Sequence, residues 1–219
     1  MKKITKYIPT IILTLLCSCS DYLDIVPDNV TTLDIVFNNR NTAERYLANC
    51  YHFVPDHGSV KRIPGMGAGH ECWFYTTNDS HFDNEVSFYI ARGLQNIDAP
   101  YANYWDGEGG SNLPMFRAIR ECNIFLDYVR DQHKVNDLTD SERKRWIAEV
   151  NVLKAYYHFF LFEHYGPIPI VDKALPVSTD PEGVKVTRMP VDQIVDYMVK
   201  LIDDSYKDLP PVITMEATE

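Results

Sequence analysis

The chain has 219 residues, 31 of them acidic and 21 basic, with a formal charge of −10 and 45% hydrophobic content. That length supports one large core or two small ones, and the apolar and aromatic content is that of an ordered globular chain. The acid excess argues against a nucleic-acid partner, because displacing phosphate counterions takes clustered Lys and Arg.

Lys2, Lys3 and Lys6 precede an apolar run from Tyr7 to Leu16, the order of a secretory signal. The run is far shorter than the ~20 apolar residues that span a bilayer. Leu16-Cys17-Ser18-Cys19 closes it in the pattern L-x-S-C, which a lipoprotein signal peptidase reads. Residues 1–18 are therefore expected to be a signal peptide, with Cys19 the lipidated N-terminus. The rival Cys17 is preceded by the bulky Leu16, and an ordinary secretory signal with incidental cysteines is the remaining alternative. Acyl chains on Cys19 would insert into one leaflet and leave the polypeptide in water. Cleavage removes three lysines and no acid, taking the charge from −10 to −13.

Residues 19–32 read as an extended tether, with Asp21, Asp24 and Asp28 among Leu23, Ile25, Val26 and Pro27. A helix is expected from about Asn41, with Glu44 as capping-box partner. Ala43, Leu47, Cys50 and Tyr51 lie on its apolar face, which Val54 continues. From about 57 to 110 helical periodicity gives way to glycine, aromatic and polar residues, a long irregular insertion of the kind that carries function.

The second half is regular. Met115, Ile119, Cys122, Leu126 and Val129 recur at alternating steps of four and three, predicting a helix from about Asn112 to Asp131. Its partner opens with a capping box, Thr139 and Glu142, and carries Trp146, Val150, Leu153, Tyr157 and Leu161. Gly166, Pro167 and Pro169 stop it. A third amphipathic helix runs from Pro190 through Ile194, Met198 and Ile202 to Tyr206, closed by Pro210 and Pro211. Helices at about 112–209 joined by short connections suggest tetratricopeptide-like pairs, and Ala155, Phe159 and the Tyr-Gly-Pro after them fit half of such a repeat. The apolar stripe of the third helix calls for a further covering element, so the chain is expected to be the front portion of something longer.

Of the cysteines left after lipidation, Cys50 and Cys122 sit among helical apolar residues and are expected to be buried and inert. With Cys72 they make an odd set without C-x-x-C spacing, which is no disulfide framework.

Four segments carry a family likeness: Cys19-Ser20-Asp21-Tyr22-Leu23-Asp24 with Pro27, Arg117 to Leu126, Ala148 to Ile170, and Arg188 to Pro210. In this order they resemble the N-terminal portion of a SusD/RagB-type outer-membrane nutrient-binding lipoprotein. The resemblance covers nearly all of the chain and less than half of a usual member. It implies a mostly α fold, a SusD-like helical scaffold over 33–219 whose tetratricopeptide-like helix pairs occupy about 112–209. It also implies a non-enzymatic binder, lipid-anchored at the outer membrane and surface-exposed. Such a protein hands oligosaccharides, or in some cases peptides, to a SusC-like TonB-dependent transporter.

Glu71 to Glu85 is the richest candidate for a ligand loop. A sugar offers CH patches on its ring faces and hydroxyls at its rim, so a site needs an aromatic platform beside amide or carboxylate groups. Trp73 and Asn78 supply both, at a spacing that the resemblance associates with known starch sites, and Tyr75 and Asp79 are neighbours of the same kind. The competing reading has Trp73 and Tyr75 folding inward to close the insertion. Trp105 and Trp146 lie beside or within helices and are expected in the core.

Other chemistries fail on spacing. His70-Glu71 lacks the second His of H-E-x-x-H, there is no G-x-S-x-G elbow, and no zinc-deaminase pair of motifs exists. Gly65, Gly67 and Gly69 do not make a phosphate loop, and Asp79, Asp83 and Glu85 lack the order of an EF-hand. Cys72 beside His70 is poor evidence for a nucleophile and base. Neither a metal nor a cofactor is expected. A peptide-binding member of the same scaffold, a surface hydrolase with two facing carboxylates and a bare repeat scaffold are the alternatives to glycan binding.

Overall fold

The computed structural model describes residues 32–58, 65, 67–69, 86–98, 100–107, 113–176 and 181–211. Two units are distinguished, 1–35 and 36–219. Of the first, only Thr32 to Ile35 is described. There the Thr32 carbonyl accepts from the Ile35 N–H at 3.1 Å at the start of the single-turn helix α1, Leu33–Val36.

The second unit is built on helices α2, Arg40–Tyr51, α3, Val86–Ala91, α4, Met115–Val129, α5, Asp140–Tyr165, and α6, Val191–Asp203. Short 3-10 turns at Pro181–Val184 and Tyr206–Asp208 complete it, and no strand occurs among the described residues. The mostly α expectation holds.

The long helix α5 organises the rest. It begins where Thr139 and Glu142 form the expected capping box, each side chain bonding the other's backbone N–H. Gly166 ends it at φ 69°, donating to the Phe162 carbonyl at 2.9 Å in a conformation that glycine adopts without strain. Buried residues run all round α5, from Trp146, Val150 and Tyr157 to Lys154 and His158. A helix apolar on every side has neighbours on every side. Helix α4 packs along it with Met115, Ile119, Cys122, Leu126 and Val129 inward, and α2 and α6 pack along it as well.

Arg143 completes the α4–α5 hairpin. Its buried guanidinium donates to the carbonyls of Val129 at 2.6 Å and Val135 at 2.9 Å, and to those of Asp131 and Lys134. A fixed cation thereby satisfies carbonyls that the end of α4 leaves open.

Three local expectations need correction. The cap of α2 is Asn39, whose side chain accepts from the Thr42 N–H at 3.1 Å, two residues before Asn41. Glu44 instead pairs with Arg40 at 2.9 Å, because Arg40 is the residue one turn before it. Tyr51 and Val54, each 42% exposed, leave the buried face at Cys50, since the helix ends at Tyr51 and the chain turns. Pro190 is the N-cap of α6 and not its first helical residue, and the helix stops at Asp203, short of Tyr206.

Cys50 and Cys122 are free and fully buried, as expected. The neighbouring Cys50 thiol together with burial holds the Cys122 thiol protonated, well above its ordinary range. No helix among the described residues is long and apolar enough to cross a membrane.

Candidate functional site

The segment Pro100–Gly107 is irregular yet tightly held. Gln95 mimics a neighbouring strand: its carbonyl oxygen accepts from the Tyr101 N–H at 2.7 Å and its amide donates to the Tyr101 carbonyl at 2.9 Å. Ala102 lies at φ 53°, a left-handed conformation that costs a non-glycine residue on the order of 1 kcal/mol and concentrates at functional sites. At the far end the Met115 N–H donates to the Tyr104 carbonyl at 2.9 Å, docking the segment on the start of α4. Gly107, at φ 87°, allows that approach, because a Cβ there would stand 2.9 Å from the Pro114 ring.

A cleft of about 210 Å³ opens between this segment and the end of α5. Tyr101, Asn103 and Tyr104 of the segment line it together with His164 and Tyr165 of α5 and Ile90 of α3. Tyr101 stacks on Tyr89 at 4.6 Å with 11° between the planes, which makes a flat aromatic surface. Asn103 is engaged in a turn, donating to Asp106 at 2.6 Å and accepting from the Trp105 N–H at 3.1 Å.

The two residues ending α5 supply complementary hydrogen-bonding groups. The His164 Nδ1 sits 2.8 Å from the Phe160 carbonyl, which only accepts, so Nδ1 carries a proton, and the tautomer compatible with this bond has its lone pair on Nε2. The Tyr165 hydroxyl oxygen accepts from the Tyr104 N–H at 2.8 Å, leaving its own proton to donate. Burial raises the Tyr165 pKa, against the backbone bonds from Tyr104 and Trp105, so the phenol keeps that proton. A cleft that offers both an acceptor and a donor suits sugar hydroxyls, which are both. No Asp or Glu appears among the described residues lining the cleft, and no metal-binding group of acids, His and Cys occurs among the described residues.

Trp105 lines a second cavity of about 230 Å³ with Phe116, Arg120, Pro169, Val171 and Lys173. Its ring meets the edge of Tyr165, a residue of the first cleft, at 5.5 Å. Trp146 is fully buried, as expected. Trp105 departs from its expected core placement, being half-buried, because it sits on the irregular segment and not on a helix.

Behind the second cavity lies a polar network joining α5 to α6. The buried Lys154 ammonium donates to the Asp172 carboxylate at 2.7 Å and to its carbonyl at 3.0 Å, and Tyr197 donates to the same carboxylate at 2.8 Å. Burial works against the Asp172 charge, but the Lys154 and Tyr197 bonds hold its pKa below the ordinary range.

Trp73, Tyr75, Asn78 and Asp79 lie outside the described residues, as do Cys72 and the anchor residue Cys19. The tyrosine cleft was not singled out from the sequence. Its signals were the paired aromatics of Tyr101, Tyr104 and Trp105, and a His-Tyr at the end of the longest helix.

The family model SusD-like_3, described as "Starch-binding associating with outer membrane", matches residues 21–217. A laminarin-binding SusD-like protein of known structure superposes with a TM-score of 0.62 at 17% identity, over 83% of this chain and 37% of that one. A SusD-like protein from Bacteroides fragilis gives 0.61 at 16% identity, over 90% and 34%. A SusD-like carbohydrate-binding protein from Bacteroides vulgatus gives 0.54 at 14%, over 83% and 38%. The chain thus spans little more than a third of the length of each of these structures. Nothing among curated proteins matches.

Proposed function

Because the chain belongs to the SusD-like_3 family, we propose that it is a non-enzymatic glycan-binding lipoprotein, anchored through Cys19 at the outer membrane. It captures oligosaccharides at the cell surface and delivers them to a SusC-like TonB-dependent transporter. The observation that carries the binding chemistry is a cleft lined by Tyr101, His164 and Tyr165, in which the Tyr165 hydroxyl keeps a proton to donate and Tyr101 is stacked on Tyr89. Neighbouring sugar hydroxyls need a donor and an acceptor together, and the ring face needs a flat aromatic.

The cleft volume of about 210 Å³ is below the ~300–1,000 Å³ of a drug-sized pocket. It therefore suits one ring of an oligosaccharide, with Trp73, Tyr75, Asn78 and Asp79 contacting further rings. Capture without cleavage is favoured because glycoside hydrolysis calls for two carboxyl groups flanking the bond, and the described lining offers none. The domain plan is a signal peptide over 1–18, a tether over 19–32 and a helical binding domain over 33–219.

An affinity pull-down from detergent-solubilised envelopes tests the placement, with mass spectrometry of the N-terminus and of co-purifying proteins. The expected result is an acylated Cys19 and a TonB-dependent barrel. A free, unmodified N-terminus at or near residue 19 contradicts the anchor, and recovery without any such barrel contradicts the transport role.

A further inference from the structure

After Gly166 the chain runs extended, and alternate residues serve opposite sides, as the period of an extended backbone requires. Pro169, Val171, Lys173 and Leu175 face the second cavity, whereas Asp172 turns away to Lys154 and Tyr197. The segment is fixed along its length. Asn123 donates to the Val171 carbonyl at 3.0 Å, Arg120 donates to the Leu175 carbonyl, and the Met189 N–H donates to the Ile168 carbonyl at 3.0 Å.

The outcome is a cavity with an aromatic and aliphatic wall and a cationic rim. Trp105 and Phe116 meet edge to face at 4.6 Å. Arg120 and Lys173 are the charged lining residues, and Arg188 places its guanidinium 5.2 Å from the centre of the Trp105 ring. Among the described residues the lining contains no acid, in a chain where acids outnumber bases 31 to 21. Arg188 and Arg120 are pinned by backbone carbonyls, Arg188 to that of Pro167 at 2.7 Å, while the Lys173 ammonium has no hydrogen-bond or ion-pair partner among the described residues.

We propose that this cavity binds a carboxylate-bearing sugar, the uronic-acid residue of an acidic oligosaccharide. The inference rests on the glycan-binding reading and adds the ligand's charge. A pyranose ring would set its CH face against the Trp105 and Phe116 wall and its carboxylate against Lys173 and Arg120. Lys173 is exposed, so the pairing is open to screening by salt. A cavity of about 230 Å³ accommodates one ring.

Calorimetric titration of the full 219-residue chain in detergent, with trigalacturonate and with its fully methyl-esterified, uncharged form, tests the proposal. The acid is expected to bind at least tenfold more tightly at low salt, with the ratio shrinking as salt rises. Lys173→Gln is expected to remove most of the ratio and Lys144→Gln, at an exposed position on α5, to leave it intact. Circular dichroism confirms that both variants fold. Equal binding of acid and ester overturns the charge assignment and leaves the glycan reading standing. A ratio that survives Lys173→Gln overturns the site. Failure of both probes overturns this proposal, and if a panel of neutral oligosaccharides also fails, the glycan reading falls with it.

Discussion

Replacing His158 with glutamine is expected to flatten the acid side of the stability curve. His158 is fully buried on α5. Its Nδ1 donates to the Lys154 carbonyl at 2.7 Å, its Nε2 faces the Val171 N–H at 3.5 Å, and its ring meets Tyr197 at 5.2 Å. Burial, with the Lys154 charge adding to it, lowers the pKa from 6.5 to about 4, against the bond to the Lys154 carbonyl and the Asp172 charge, which raise it. The unfolded chain takes up a proton that the folded chain refuses, so stability is intact above pH 6.5 and falls as the pH drops toward 4. At about 1.4 kcal/mol per tenfold change in proton affinity, the loss over that window is about 3 kcal/mol. Asp172, held below its ordinary 3.8, titrates beneath the window. Urea unfolding of the parent and of His158→Gln at intervals from pH 7 to 4 reads the effect, since glutamine cannot titrate. The parent should lose about 3 kcal/mol more than the variant across the window. Parallel losses in the two proteins would refute the assignment of a buried neutral histidine.

Thr139→Ala removes the side-chain half of the α5 capping box and should cost about 1 kcal/mol of unfolding free energy. Gly107→Ala forces a Cβ to within 2.9 Å of Pro114 at a φ of 87°, and should cost about 1–3 kcal/mol while disturbing the adjoining cleft, read by thermal melting and by glycan binding together. Tyr101→Ala takes away the stacked partner of Tyr89 and should weaken oligosaccharide binding by about tenfold with little change in stability, because the ring is only half-buried; about 1.4 kcal/mol is the corresponding loss. Unchanged titration curves would remove Tyr101 from the site.

The helical frame was legible because its signals are local. The Thr139 and Glu142 pair, the four-and-three spacing from Met115 to Val129 and the Gly166 stop each report a feature of one helix, and α4, α5 and α6 stand where these put them to within a few residues. What escaped depends on tertiary contact. Arg143 reads as a surface charge on a polar helical turn, and only the carbonyls gathered at the end of α4 make it a buried cap. Lys154 likewise looks like the polar face of α5 until Asp172 meets it. On α6, Ile194 and Met198 are buried as the pattern implies, whereas Val191, Val195, Val199 and Ile202 form an exposed stripe of the same helix. An apolar stripe does not announce which half of it a neighbour covers.

The clefts were harder still to read. Tyr165 belongs to the helix by periodicity and to the site by the direction of its hydroxyl, which the Tyr104 backbone sets from 61 residues away. Lys173 alternates with Asp172 on an extended segment, and a sequence does not say which of the two faces an aromatic wall.

Binding of a panel of neutral and acidic oligosaccharides, and of peptides, to the parent chain and to Trp73→Ala tests the central claim most directly. The account predicts that at least one oligosaccharide class binds the parent, that peptides do not, and that Trp73→Ala weakens the interaction without loss of fold. A parent chain that binds peptides and no glycan contradicts the account, and a Trp73→Ala chain that binds glycan as tightly as the parent contradicts the place of Trp73 in the site.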